Sequence, residues 1–405
     1  VYDRSATETG ASCRNVAVLG CTGSIGRATL EVISELGDRF RLWAASANRN
    51  ATQLTEIVRR FQPKMAIISD EKVASEVKWG QGFANSIGCE FRGGNEALIE
   101  VAQAPEVDIV VAAIVGAAGM ESCLAAADAG KRLALANKEA LVVAGPLLTK
   151  KCKSSGAELL PVDSEHSAIF QSLQSGRGAS EIKRLVLTAS GGSLRDWPVE
   201  RLSNATAQDA LNHPTWKMGS KITIDSATMM NKALEIIEAR WLFGVPANQI
   251  SVVIHPQSMV HSMVEFIDGS VIAQLSPPDM RLPIQYSLTY PERTGGPARK
   301  LDWSETMKLE WYPVDFERYP ALLLGFEVAE SGGSSGAVLN AANEAAVSLF
   351  LEQKIRFTDI TQAVGCILHQ HNYVENPSFS ELIELDAWAR REVLRWSRLT
   401  KGNCA

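Results

Sequence analysis

The stretch Pro161 to Ser167 reads PVDSEHS, and its acids are the residues best suited to chemistry. The preceding GAELLPV has strand character, and in an extended chain residues two apart point the same way, so Asp163 and Glu165 are expected on one face. Two like charges that close require a cation between them. Carboxylate oxygens suit a hard divalent ion, Mg²⁺ or Mn²⁺ with Co²⁺ as a further option, and few protein ligands leave coordination open to substrate oxygens. Glu235, on a helix further along, would complete a three-carboxylate site. Taken alone, PVDSEHS fits equally a polar strand end with solvated acids and His166 as a surface or capping histidine.

The helix bearing Glu235 is expected to start near Asp225 or Ser226, both good N-caps, and to stop at Phe243 before Gly244. Met230, Leu234, Ile237 and Trp241 make its apolar stripe. Asn231 is four residues and Lys232 three residues from Glu235, so the three share adjoining faces. With Ser226 ahead of them, these groups can hold phosphate and metal together; a surface ion pair is the competing account. Just upstream, HPTWKMG carries His213, Trp216 and Met218 in a stretch too irregular for helix, and KITID after it reads as a short strand. Such a loop suits a lid, because Trp and Met exclude water while His213 bonds a ligand, although packed structure is the commoner use of a loop Trp. The strand in EIKRLVLTASGGSLR ends at Ser190, Gly191 and Gly192, where a hydroxyl and backbone N–H groups can approach a phosphate, or simply turn the chain.

Positioning these residues falls to an alternating chain. NVAVL at 15–19 reads as a strand, GCTGSIG at 20–26 as a glycine turn and RATLEVISEL as a helix, the order that gives such glycines meaning. Gly20 permits the tight turn, Gly23 admits a pyrophosphate, and the helix N-terminus offers free N–H groups. The second strand, RLWAASA, runs into Asn48, Arg49 and Asn50, where an NAD site usually presents an acid. An arginine with no acid beside it favours a 2′-phosphate, hence NADPH over NADH, unless Arg49 is merely solvated. A helix over 51–61, the strand MAIIS, a helix from about Ala97, the strand VDIVVAAI and the strand KRLALA follow. KRLALA ends in Asn137, Lys138 and Glu139; ligands bind at such strand ends, so Lys138 is expected to face substrate and Glu139 the cofactor, a helix cap with an ion pair being the alternative.

ISVVIHPQSMVHSMVEFIDGSVIAQLS reads as two or three strands of an antiparallel sheet that could pair across a dimer, with His255 and His261 structural or interfacial. The proline- and glycine-rich PPDMRLPIQYSLTYPERTGG is expected to end that domain, and four helical stretches follow from Ala321, with Asn340 and Glu344 as capping or packing residues. The expected architecture is α/β: a Rossmann-like NADPH domain at 1–160, an α+β catalytic domain with a sheet at the dimer interface at 161–292, a linker at 293–320 and a helical bundle at 321–405. The 405 residues are 21% charged and 46% hydrophobic, an ordinary soluble composition. A net charge of −6 argues against a general nucleic-acid binder, and no apolar run has the length of a membrane span. The opening VYDRSATETGASCRN lacks a signal-peptide core, so the cytoplasm is expected. Seven cysteines without a Cys-x-x-Cys pair argue against zinc and against a disulfide framework.

These pieces together resemble the 1-deoxy-D-xylulose 5-phosphate reductoisomerase family from about Asn15 to the C-terminus. The motifs carrying the resemblance are GCTGSIG, ALANKEALV, PVDSEHSAIFQ, ASGGSLR, HPTWKMG, KITIDSATMMNKALEIIEARWLF, HPQSMVHSMVEF, PDMRLPIQYSL and LNAANEAAV. The resemblance implies metal ligands at Asp163, Glu165 and Glu235, and a phosphosugar bound by Lys138, Ser164, Ser190, His213, Ser226, Asn231 and Lys232. It implies NADPH contacts at Thr22, Gly23, Ser24, Ile25, Asn48, Arg49, Asn50, Asn137, Glu139 and Gly219, and a homodimer. It also implies a metal-assisted rearrangement by retro-aldol cleavage and re-addition, followed by reduction. Asn48 departs from the family's usual glycine, and the connection between Ser172 and Glu181 is shorter than in some members. Two other classes fit the residues less fully: a metal-free NADPH dehydrogenase, and a non-catalytic NADPH-binding module.

Overall fold

The computed structural model describes residues 13–77, 88–216 and 218–402; the opening dozen residues, Lys217 of the expected lid and Cys404 lie outside them. Its first sheet holds the strands β1 (Arg14–Leu19), β2 (Phe40–Ala47), β3 (Met65–Ile68), β4 (Glu90–Gly93), β5 (Ile109–Ala112), β6 (Arg132–Leu135) and β7 (Glu158–Pro161). All pair in parallel, in the order β4-β3-β2-β1-β5-β6-β7. Because helices cover both faces, the central strands are apolar throughout: Val16 to Leu19 and Ile109 to Ala112 are buried without alternation. The strand order turns back at β1, so a crevice opens beyond the carboxyl ends of β1 and β5, where ligands of such sheets bind. This is the Rossmann-like arrangement expected from the alternation.

The second sheet contains β8 (Ile182–Ala189), β9 (Ile250–Ile254), β10 (Val260–Phe266), β11 (Val271–Leu275) and β12 (Tyr312–Pro313), in the order β11-β10-β8-β9-β12. It is mixed rather than antiparallel, since β8 and β9 run in parallel. One apolar core joins it to helix Met230–Phe243 and to the C-terminal helices Ala321–Ser331, Ser335–Leu351, Phe357–Gln370 and Phe379–Gly402. Those four helices fall where their apolar periodicity placed them.

Four local expectations change. Asp163 and Glu165 are not on a strand: β7 stops at Pro161, Asp163 caps helix Ser164–Leu173, and Glu165 lies in its first turn. KITID is helical, inside Ser220–Ala227, because tertiary burial of Thr223, Ile224 and Ala227 at helical spacing overrides the β-branched preference. The expected helix from Ser226 is accordingly two helices, separated at Met229, which takes a left-handed conformation (φ 60°). Ser226 therefore closes one helix instead of capping the next. The stretch expected to end a domain also folds into helix Arg281–Thr289, whose Ile284 and Leu288 pack against the first sheet. Pro283 is tolerated there because N–H groups of a first helical turn have no partner to lose.

The glycine turn after β1 is held by close packing. A Cβ on Gly26 would stand 2.3 Å from Gly20 O and 2.5 Å from Cys21 Cα, so only glycine lets helix Ser24–Glu35 sit against the turn. Gly26→Ala is expected to cost about 1–3 kcal/mol through forced separation. Thermal unfolding reads this as a lowered Tm, and an unchanged Tm would contradict the packing argument.

Candidate active site

A cavity of about 640 Å³ opens at the carboxyl ends of the first sheet. Successive strand ends supply its wall: Gly23 to Ile25 after β1, Val115 after β5, Lys138 and Glu139 after β6, and Asp163 to Glu165 after β7. The opposite wall comes from Ser190 after β8, His261 on β10, Ser226, and Asn231, Lys232 and Glu235 on helix Met230–Phe243. His213, Trp216, Met218 and Gly219 border it from the loop expected as a lid.

Ligand atoms of Asp163, Glu165 and Glu235 lie within 4.8 Å of one another. Glu235 is buried, whereas Asp163 and Glu165 keep 17% and 18% of their side chains open. Two buried lysines hold them together. Lys138 Nζ lies 2.7 Å from Asp163 Oδ2 and 3.3 Å from Glu235 Oε1. Lys232 Nζ lies 2.8 Å from Glu165 Oε1 and also contacts Glu235 Oε2. Asn231 bridges the pairs, accepting from Lys138 Nζ at 2.7 Å and donating to Glu235 Oε1. Ser164 Oγ donates to Glu165 Oε2 at 2.5 Å.

Burial and cations act in opposition on these acids. Burial raises Asp163, but Lys138, His166 and Lys232 outweigh it and bring the carboxyl down to about 2. Glu165 is likewise lowered, with Lys232 overcoming burial and the charge of Asp163. Glu235 goes the other way: burial and then Glu165 push it up to about 7 against the pull of both lysines. Three carboxylates against two ammonium groups thus leave negative charge in excess, and Glu235 is the acid least well held as an anion. This donor set fits a hard divalent ion.

A second group of possible ligands, Asp163, His166 and Glu238, lies behind the first. His166 and Glu238 are buried and neither lines the cavity. Burial lowers His166 to about 4, so its ring is neutral, and Nε2 bonds Glu235 O at 3.0 Å. If Nε2 carries the hydrogen that this carbonyl requires, Nδ1 is an acceptor facing Glu238 Oε2 at 3.3 Å. Burial, then the charge of Asp163, raises Glu238 well above its ordinary value. The sequence signal was present: His166 follows Asp163 by three residues and Glu238 follows Glu235 by three, each on its partner's helix face.

On the facing wall, backbone N–H groups of Thr215 and Trp216 donate to His213 Nδ1 at 3.1 and 2.9 Å. Nε2 therefore carries the proton and donates to Ser190 Oγ at 3.0 Å. Gly192 N donates to the same oxygen at 3.2 Å, which leaves the Ser190 hydroxyl hydrogen to donate into the cavity. Burial, with Arg195 nearby, lowers the pKa of His213. A Cβ on Gly192 would stand 2.5 Å from Ser226 O; its absence lets the Ser190 turn pack on Ser226.

The residues expected around a dinucleotide divide into two sets. Gly23, Ser24, Ile25, Glu139 and Gly219 line the cavity; Thr22, Asn48, Arg49, Asn50 and Asn137 do not. Asn137 spends its side chain on Ala140 N, Ile114 O and Gly116 O, pinning the loop after β5 to the start of helix Lys138–Ser155. Glu139 is buried and paired with Lys221 at 3.1 Å, and Lys221 reaches Asp225 Oδ2 at 3.0 Å. Asn343, on a C-terminal helix, donates to Asp225 Oδ1 at 2.8 Å, so the bundle braces this wall; Asp225, expected as an N-cap, lies inside helix Ser220–Ala227 and serves this contact instead, and Lys221 did not stand out in the sequence. His261, expected to be structural or interfacial, borders the cavity while bonding Ser276. Arg49 is not without an acid: Asp70, from the end of the neighbouring strand, lies 2.6 Å from its Nε.

Comparison with known proteins identifies one family. Family models described as 1-deoxy-D-xylulose 5-phosphate reductoisomerase match residues 16–145, and C-terminal-domain models of that enzyme match residues 159–243 and 275–392. A Rhodopirellula baltica protein of that name is 48% identical over 93% of this chain and 93% of its own. The Zymomonas mobilis enzyme solved in complex with NADPH is 41% identical, with a TM-score of 0.88 over 95% of this chain and 99% of that one. A reductoisomerase solved with NADPH, fosmidomycin and magnesium is also 41% identical, with a TM-score of 0.89 over 96% and 99%. By sequence and by fold, the chain belongs to the 1-deoxy-D-xylulose 5-phosphate reductoisomerase family.

Proposed function

We propose that this chain carries out the NADPH-dependent, divalent-metal-dependent rearrangement and reduction of 1-deoxy-D-xylulose 5-phosphate to 2-C-methyl-D-erythritol 4-phosphate, in non-mevalonate isoprenoid precursor synthesis. The observation that carries this reading is one cavity shared by the glycine turn of β1, the three carboxylates and the Ser190–His213 pair. The NADPH, fosmidomycin and magnesium named for the solved relatives support the same reading.

Asp163, Glu165 and Glu235 are the ion's ligands in this account, and Lys138 and Lys232 hold their charge in its absence. When bound, the ion polarises the substrate carbonyl and NADPH supplies the hydride. Ser190 donates its free hydroxyl hydrogen to the phosphosugar, assisted by His213, Ser226 and Asn231, while Lys232 contributes positive charge. Ser164 keeps Glu165 oriented at the rim. Gly23, Ser24, Ile25, Glu139 and Gly219 border the nicotinamide side, with Thr22 and Asn137 shaping that wall from behind. Asn48, Arg49 and Asn50 lie further out, at the end of β2, for the adenosine ribose. Trp216 and Met218 close over the cavity and exclude water from a reactive intermediate. The proposal includes a homodimer, for which the outer strand β11 offers exposed Val271, Ile272 and Leu275; no described helix is long and apolar enough to cross a membrane.

Loss of NADPH absorbance on adding 1-deoxy-D-xylulose 5-phosphate is expected with Mg²⁺ and is expected to stop in excess chelator. Persistence in chelator would indicate a metal-free dehydrogenase, and no loss from folded, NADPH-binding protein would indicate a binding module. Glu235→Gln is expected to lower turnover at limiting metal by roughly 10²-fold while the NADPH Kd stays within about twofold; full turnover would remove Glu235 from the ligand set. Lys138→Met leaves Asp163 without its ammonium partner and Glu235 with Lys232 alone, so the metal-free protein is expected to lose about 3–5 kcal/mol of stability, with Mg²⁺ restoring part of it. A metal-free Tm equal to that of the parent protein would refute this charge balance.

A further inference from the structure

The chains leaving β2 and β3 stay side by side beyond the last paired strand residues. Ser69 N donates to Ala47 O at 2.9 Å and Asp70 N to Asn48 O at 3.2 Å. Side chains follow the same register: Asn48 Nδ2 donates to Ser69 Oγ at 3.0 Å, and Arg49 Nε donates to Asp70 Oδ2 at 2.6 Å. Asp70 is fixed from its other side as well, since Oδ1 accepts from Val73 N at 3.0 Å and caps helix Glu71–Glu76. Its side chain is only 17% exposed, against 75% for Arg49.

A surface ion pair contributes little to stability, but this one has a particular geometry. Asp70 engages Nε alone, and among the described residues Nη1 and Nη2 of Arg49 donate to nothing else. That pair of nitrogens is the fork that grips a phosphate with two parallel bonds. The fork is also tied to the glycine turn: Ser46 on β2 accepts from Gly20 N through Oγ at 2.9 Å and from Cys21 N through its carbonyl at 2.8 Å. A pyrophosphate on the turn thus puts an adenosine ribose beside the end of β2. An unanchored arginine would lose rotamer entropy on gripping a phosphate there, and an anchored one loses less.

We propose that Asp70 is a positioning residue for the 2′-phosphate of NADPH, holding Arg49 by Nε so that Nη1 and Nη2 are left for the phosphate. This rests on the reading of Arg49 as the group that discriminates NADPH from NADH. An acid beside a ribose usually selects NADH; here the acid is occupied by Arg49 and by a helix cap, and its effect on cofactor choice is reversed.

The test compares Asp70→Ser, Asp70→Asn and Arg49→Ala. Serine and asparagine both cap helices well, so the short helix is retained; serine is too short to reach Arg49, and asparagine has a single oxygen to share between the cap and Nε. Steady-state constants are measured with NADPH and NADH, alongside the Kd of 2′,5′-ADP. Arg49→Ala is expected to raise the NADPH KM by more than roughly tenfold, and Asp70→Ser by about three- to tenfold, with Asp70→Asn between Ser and the parent protein. For Asp70→Ser and Asp70→Asn the NADH KM is expected to be unchanged, and kcat at saturating cofactor to stay within about twofold. If Arg49→Ala erodes NADPH preference and Asp70→Ser does not, the role of Arg49 stands and that of Asp70 falls. Tighter 2′,5′-ADP binding by Asp70→Ser, or equal losses with NADPH and NADH, also overturns the proposal. No change in preference in Arg49→Ala removes the Arg49 reading and the proposal with it.

Discussion

Asp163, Glu165 and Glu235 are held within 4.8 Å of one another in a largely water-poor wall, where like charges repel strongly and each unpaired ion costs several kcal/mol. Everything around them is arranged to make that tolerable. Lys138 comes from the end of β6, Asp163 and Glu165 from the end of β7, and Lys232 and Glu235 from a helix on the far side of the cavity. Asp163 and Glu165 have no cation on their own element and take one lysine from the end of β6 and one from across the cavity. The cluster is therefore also what fastens the first sheet to the helix leaving the second, and a change in its charge is felt by both.

Behind the cluster, His166 and Glu238 are buried and face each other at 3.3 Å, and the His166 ring, lowered by burial to about 4, bonds the backbone carbonyl of Glu235. On the opposite wall, two backbone N–H groups fix the tautomer of His213, and the remaining hydrogen of Ser190 is left for the cavity.

Much of this was legible in the residues. The glycine turn after an apolar strand, the alternation that follows it, and the spacing of Asn231, Lys232 and Glu235 each have one local physical meaning, and the cavity gathers them. Legibility ended where tertiary contacts decide. The pairing of Asp163 with Glu165 was inferred from strand alternation, whereas the helix they begin brings them together by a tighter path. KITID carries strand-forming residues, yet burial of Ile224 and Ala227 makes it a helix, and Met229 breaks the chain before Glu235. Asp70 was out of reach because it meets Arg49 only through the parallel register of β2 and β3, across 21 residues. The contacts of Lys221 and Asn343 with Asp225 were hidden in the same way, and Asp225 itself was read only as a helix cap.

The most direct test of the shared carboxylate site is anomalous X-ray scattering at the manganese edge from crystals of this protein grown with Mn²⁺. The account predicts one strong peak within roughly 2.0–2.3 Å of carboxylate oxygens from Asp163, Glu165 and Glu235, with Lys138 and Lys232 moved off them. A peak between Asp163, His166 and Glu238, or a cavity without any peak at saturating Mn²⁺, would contradict it.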